Sequence, residues 1–257
     1  MYTKKQLIAL QTLVTSEIAR FLRVWIQTLM PPVITMALYF LVFGNFIGSR
    51  LSAINGFSYM QYMMPGLVIM AIIMQAYNNS VFSFFVYRFH RNVEEILVAP
   101  VPHSIILLGF VISSVVRGLL TGVLVTIVSM CFTHFAPYSV LLILLSAVMS
   151  SVLFALIGFA NAIFAKRFDD VSIIPTFVLT PLIYLGGVFY SIEQLPPMWR
   201  EISRFNPILY IVETFRYGFL GVAHMGVQFG FSMLAVFIVA VFMLNLHLLN
   251  KGVGIRT

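Results

Sequence analysis

No residue between Arg23 and Arg50 carries a formal charge, and most of that run is Leu, Ile, Val, Met, Phe and Trp. About 20 apolar residues suffice for a helix to cross the hydrocarbon layer of a bilayer. A helix also satisfies its own backbone donors and acceptors, which lipid demands. Five comparable runs follow, so the expected spans are 24–47, 62–87, 104–132, 139–165, 171–190 and 226–250. Pro31 and Pro32 are expected to kink the first or delay its start. Across 257 residues, 61% are hydrophobic and 9% charged, where soluble domains carry about a quarter charged residues. The sequence therefore predicts an all-α integral membrane protein with six crossings and no large soluble domain.

The net charge of +7 does not point to nucleic acid, because the basic residues lie between apolar spans and not on one soluble face. They read instead as topology signals. Lys4, Lys5, Arg20, Arg23, Arg88, Arg91, Lys166, Arg167, Lys251 and Arg256 fall on one side of the predicted spans; Arg50, Arg200, Arg204 and Arg216 fall on the other. This places both termini in the cytoplasm, as an even number of spans requires. The single cysteine, Cys131, forms no internal disulfide, and the first apolar run reads as a retained span, not a cleaved signal.

Residues 1–23 differ in kind. Leu7, Leu10, Val14, Ile18 and Phe21 recur at helical spacing, with Lys4, Lys5, Glu17 and Arg20 largely elsewhere. That is the pattern of an amphipathic helix in the membrane plane; a helix docked on its own protein is the alternative, and the two are compatible.

Four segments stand out. In the connection 88–102, charges and apolar residues alternate until Pro100 and Pro102 stop the helix. Arg91, Val93, Glu94, Glu95, Ile96 and Leu97 either form a knob for a groove on a partner or belong to an ordinary charged loop. The connection Lys166, Arg167, Phe168, Asp169, Asp170 lacks a nearby histidine, cysteine or third carboxylate, so metal or acid–base chemistry is disfavoured. Asp169 is expected to cap the next helix, with Asp170 in its first turn. Residues 191–221 contain Pro197, Asn206 and Pro207 and are read as short broken helices near the outer surface. Within them Glu213 and Arg216 are three apart and positioned to pair, as an internal tie or as part of an outer gate. Arg117 falls midway along the third span, where a charge is costly. Its readings are a tie within the bundle, a site for an anionic headgroup or substrate, and a snorkelling side chain. Small residues, among them Gly118, Gly122, Ala147, Ser150, Ser151, Ala155 and Gly158, allow close helix packing.

The absences narrow the function. No Gly-rich loop ends in Gly-Lys-Ser or Gly-Lys-Thr, so the chain shows no phosphate cradle. No zinc-protease or nucleophile-elbow motif occurs, and no catalytic or metal-ligating residue is assigned. There is no clear inverted repeat of the kind secondary carriers use; the chain's size suggests instead that two copies assemble around a shared pathway. A membrane assembly factor, a lipid-modifying protein and an ion-coupled carrier remain the alternatives.

The stretch from Leu179 through Pro181, Gly186-Gly187, Tyr190, Leu195-Pro196 and Asn206-Pro207 to Arg216 resembles the ABC-2 type transporter permeases. So do Arg20-Phe21, Glu94-Glu95 with Pro100, and Phe168-Asp169-Asp170. The resemblance extends over essentially the whole chain, as a single ABC-2 (type V exporter-like) transmembrane domain. It implies six spans, an N-terminal interface helix, broken outer helices, a homodimer in the bacterial inner membrane, and two cytoplasmic ATPase subunits supplying ATP and Mg. It also implies that residues 91–99 form the coupling helix of an exporter, in a family that moves drugs, polysaccharides, teichoic acids, lipids or haem-related cargo.

Overall fold

The structure, a computed structural model, describes residues 2–48, 54, 56–90, 101–134, 136–222 and 226–253. They form helices α1 (Tyr2–Arg23), α2 (Trp25–Tyr39), α3 (Tyr59–Phe89), α4 (His103–Met130), α5 (Val140–Phe164), α6 (Phe168–Ile174), α7 (Thr180–Tyr184), α8 (Pro197–Arg204), α9 (Pro207–Leu220) and α10 (Val227–Asn250). Among the described residues, five helical stretches are long and apolar enough to cross a membrane: Trp25–Gly44 and the whole of α3, α4, α5 and α10.

The first expected span continues from α2 into a π-helical stretch, Phe40–Ile47. Pro31 and Pro32 lie inside α2 without ending it. Lacking N–H groups, they leave the carbonyls of Gln27 and Thr28 without their usual helical donors. The fifth expected span is not one continuous helix. Its α6 passes into a π-helical stretch, Pro175–Leu179, and then into α7. Pro175 and Pro181 each remove an intrahelical bond, and the Thr180 hydroxyl donates to the Pro175 carbonyl at 2.8 Å. The helix ends at Tyr184, and Gly187 turns the chain with φ +71°, a conformation open to glycine.

At the centre stands α3. Ser58 and Gln61 close a capping box at its start, and residues on every side of it are buried. Its main neighbours are α4 and α5. The small residues singled out in the sequence make these approaches possible. A Cβ on Gly118 would stand 3.0 Å from the Ile72 carbonyl oxygen, and one on Gly158 would stand 2.6 Å from that of Tyr77. The Gly118 and Gly122 face is thus an internal seam against α3. By contrast α10 buries few residues, Gly230, Leu234, Asn245 and Leu249, as a helix facing lipid on most sides would.

The first helix corrects one expectation. Glu17, assigned to the polar side, is fully buried. Its carboxylate accepts a hydrogen bond from Ser83 of α3 and pairs with Arg20 at 2.8 Å. Meanwhile Leu7 and Ile8 are exposed. Leu13 fills the space over Gly109 of α4, so α1 is docked on its own protein through a face running by Leu13, Glu17 and Phe21.

Replacing Gly158 by Leu should force α5 off α3. Overpacking of a close helix contact costs about 1–3 kcal/mol. The thermal midpoint of the purified protein in detergent should fall clearly, while Gly226→Ala, where the nearest atom to an added Cβ lies 4.0 Å away, should leave it unchanged.

Candidate functional site

Apart from Arg117, the residues singled out from the sequence fall at opposite ends of the bundle. At the start of α3 lies Arg216, 1% exposed, beside Glu213, 2% exposed. The two side chains pair as expected from their spacing on α9. Arg216 does more than pair: it donates from Nε to the Tyr62 carbonyl at 3.2 Å, from Nη1 to the Tyr62 hydroxyl at 3.0 Å and from Nη2 to the Gly187 carbonyl at 2.6 Å. Its guanidinium also lies 4.0 Å from the Tyr62 ring centroid, a favourable cation–π distance. One planar cation therefore joins α9, α3 and the turn after α7, using a fork that lysine does not have.

Asn206 and Pro207 secure the same region. The Asn206 side chain accepts from the Ile208 N–H at 3.0 Å, capping α9, and donates to the Leu182 carbonyl at 2.6 Å. Pro207 opens the helix at its first position. Pro197 opens α8 likewise, while Trp199, Ile202 and Phe205 remain exposed. The pieces expected in 191–221 are thus short helices, of which α9 is held to α3 and α7 through Arg216 and Asn206, while the apolar side of α8 is left uncovered.

At the other end, α3 leads toward the connection 91–100. Arg91, Val93, Glu94, Glu95, Ile96 and Leu97 lie outside the described residues. What is described is their base. Arg88 reaches across to the end of α5, donating to the carbonyls of Ala162 and Ala165, each at 2.6 Å, and to that of Ile163. A helix C-terminus exposes just these acceptors and carries partial negative charge. Beside this clamp, Phe168 packs against Phe89 and Phe85 with ring centroids 4.9 and 5.0 Å apart. The end of α3, the end of α5 and the start of α6 therefore form one unit. The sequence marked Arg88 only as a topology signal; nothing in its spacing reveals a partner some 75 residues away.

The connection into α6 carries a second correction. Asp169 is not the cap. The Asp170 carboxylate accepts from the N–H groups of Lys166 and Arg167, at 2.8 and 2.9 Å. These backbone donors hold its carboxyl below the usual carboxylate range. Lys166, Arg167 and Asp169 are exposed, a charged surface next to the base of the 91–100 connection. The same end of the bundle is tied to the C-terminal helix, where His103 Nδ1 and Asn250 Oδ1 stand 2.7 Å apart.

Arg117, midway along α4, donates to Asn79 Oδ1 at 3.1 Å and to the Thr28 carbonyl at 3.3 Å. That carbonyl is one of the two freed by the α2 prolines. Asn79 is fixed in turn by donating to Ser114 Oγ at 3.0 Å. Among the described residues no group of three or more His, Cys, Asp or Glu side chains is placed to hold a metal ion.

Substituting Arg216 by Met removes the cation that Glu213 faces and leaves the Gly187 carbonyl without this donor. Breaking a buried ion pair from one side costs about 3–5 kcal/mol, so the variant should unfold at markedly lower temperature in detergent. Arg216→Lys should recover little, and Glu213→Gln combined with Arg216→Met should recover part of the loss.

Comparison with known proteins gives this geometry its context. The ABC-2 type transporter family matches residues 8–220. The inner membrane transport permease YadH of Escherichia coli K12 is 51% identical over 250 residues, covering 97% of this chain and 98% of the relative. Nodulation protein J of Neorhizobium galegae is 23% identical, covering 83% and 82%, and that of Rhizobium leguminosarum is 24% identical, covering 83% of each. With the family match running through most of the helical bundle, this chain belongs to the ABC-2 type transporters.

Proposed function

We propose that the chain is the permease subunit of an ATP-driven exporter in a bacterial inner membrane, working as a homodimer with two copies of a separate cytoplasmic ATPase. Membership of the ABC-2 family and the 51% identity to a protein named as an inner membrane transport permease support the setting. The sequence supports the separate motor: its only lysines are Lys4, Lys5, Lys166 and Lys251, and none follows a phosphate-cradling loop. ATP and Mg would bind the partner, and this chain would carry out no bond chemistry.

The observation that carries the mechanism is the Arg88 clamp. In this reading residues 91–99 form the coupling helix, with Glu94 and Glu95 beside the apolar Val93, Ile96 and Leu97. A push on that helix reaches α3 directly and, through Arg88 and the Phe85, Phe89 and Phe168 cluster, α5 and α6 together. The exposed Lys166, Arg167 and Asp169 lie on the same moving unit and would face the ATPase as well. Both termini are then cytoplasmic, and the Glu213–Arg216 tie with Asn206 and Pro207 sits toward the outer face, as the pivot against which α9 and the 185–190 turn move. The cargo is an unidentified amphipathic or lipid-linked molecule.

The test is ATP hydrolysis by the purified partner ATPase in liposomes, with and without this chain. The chain should form a stable complex and change the hydrolysis rate. Replacing both Glu94 and Glu95 by Ala should reduce that effect by about tenfold, equivalent to about 1.4 kcal/mol of coupling. A complex whose hydrolysis ignores the substitutions moves the coupling surface elsewhere. Failure to associate with any ATPase overturns the permease assignment.

A further inference from the structure

Arg117 carries a charge that the fold does not balance. The ion pairs among the described residues are Glu17 with Arg20, Glu201 with Arg204 and Glu213 with Arg216; Arg117 belongs to none. Its two hydrogen bonds go to neutral acceptors, and its Nε is buried with no acceptor. A guanidinium has five N–H donors, so most of this one remains unused. In the apolar layer such a cation is costly unless an anion or water meets it.

The surroundings of Arg117 are hollow. It lines a cavity of about 430 Å³ between the α1–α2 junction and helices α3, α4 and α6, a volume in the range of small-molecule sites. One part of the wall is polar, with Arg20, Gln27, Asn78 and Asn79; another is apolar, with Val24 and Phe82. Among the described residues, no acidic side chain lines it. Gln27, Val24 and Phe82 are exposed, so the cavity communicates with the outside of the bundle. Arg20 spends much of its charge on Glu17, bonding Oε2 from Nε at 3.3 Å and Nη2 at 2.8 Å, which leaves Arg117 as the uncompensated cation.

We propose that this cavity binds a phosphate-type oxyanion, with Arg117 as its principal ligand and Arg20, Gln27 and Asn78 as supporting donors. The guanidinium offers the planar, multidentate donor set that phosphate oxygens accept. The apolar side suits an acyl chain attached to the anion, so an anionic phospholipid headgroup is one source and a free phosphate group the other. The site stands on this chain's own residues and does not depend on the ATPase, so it can fail while the permease assignment holds.

Native mass spectrometry and thermal unfolding of the full chain in neutral detergent test it, with no ATPase present. The probes are phosphatidylglycerol, phosphatidylcholine and inorganic phosphate. Wild type should retain phosphatidylglycerol in preference to phosphatidylcholine and melt at higher temperature with it. Arg117→Gln should lose about tenfold or more in affinity, the scale of a lost charge-assisted hydrogen bond, and Arg117→Lys should fall between. Protection by inorganic phosphate alone that also depends on Arg117 supports the site and identifies the free anion as its occupant. Should Arg117→Gln fail to fold, Gln27→Ala and Asn78→Ala give the same reading from the polar wall. Equal binding of both lipids and no protection by phosphate in wild type overturns the proposal, as does anion binding that survives every one of these substitutions.

Discussion

Hydrogen bonds from one buried and two half-buried arginines to main-chain carbonyls hold this bundle together. Inside a membrane the apolar residues of neighbouring helices gain little by leaving lipid for each other. Close packing through small residues draws α3 against α4 and α5, but it does not fix where the ends of α3 lie relative to broken backbone. Arg216 does so at one end, where the turn after α7 offers a carbonyl at Gly187 that no helix satisfies. Arg88 does so at the other, on the last carbonyls of α5. Arg117 meets a third such group midway, the Thr28 carbonyl left open by proline. In each case an interrupted helix creates an acceptor, and a guanidinium from a neighbouring segment occupies it.

This arrangement gives the bundle two kinds of joint. Around Arg88 the joint is broad, with three carbonyl acceptors and an aromatic cluster behind it, and it ties several helix ends together. Around Arg216 two of the three joined parts are short, α9 and the turn after α7, set against the start of α3. Short pieces bounded by proline and glycine change their relative angles more readily than a continuous helix. In the proposed function, the broad joint stands where the push would enter and the segmented one where the pathway would open.

Much of the architecture was legible in the sequence because lipid enforces simple rules. Long apolar runs marked α2, α3, α4, α5 and α10, and the i, i+3 spacing of Glu213 and Arg216 identified a pair that the fold buries. Local backbone detail was less legible. The fifth run read as one span, although Pro175 and Pro181 within it were signals of a break. Asp169 was expected to cap with Asp170 in the first turn, yet it is Asp170 that reaches back to two N–H groups. Glu17 was set on the polar side by its chemistry, but it lies three residues after Val14 and four before Phe21, which is the phase of the buried face. The carbonyl partners of Arg88, Arg117 and Arg216 were not legible, since an acceptor on the main chain leaves no residue-type signature.

In the proposed function, a push on the 91–99 connection enters the bundle through the Arg88 clamp. The most direct measurement is permease-dependent ATP hydrolysis by the reconstituted complex carrying Arg88→Met. The substitution keeps an unbranched side chain and removes the donors to Ala162, Ile163 and Ala165. The account predicts that the ATPase still docks while its hydrolysis loses most of its response to the permease. Full coupling in a correctly folded Arg88→Met complex would contradict it.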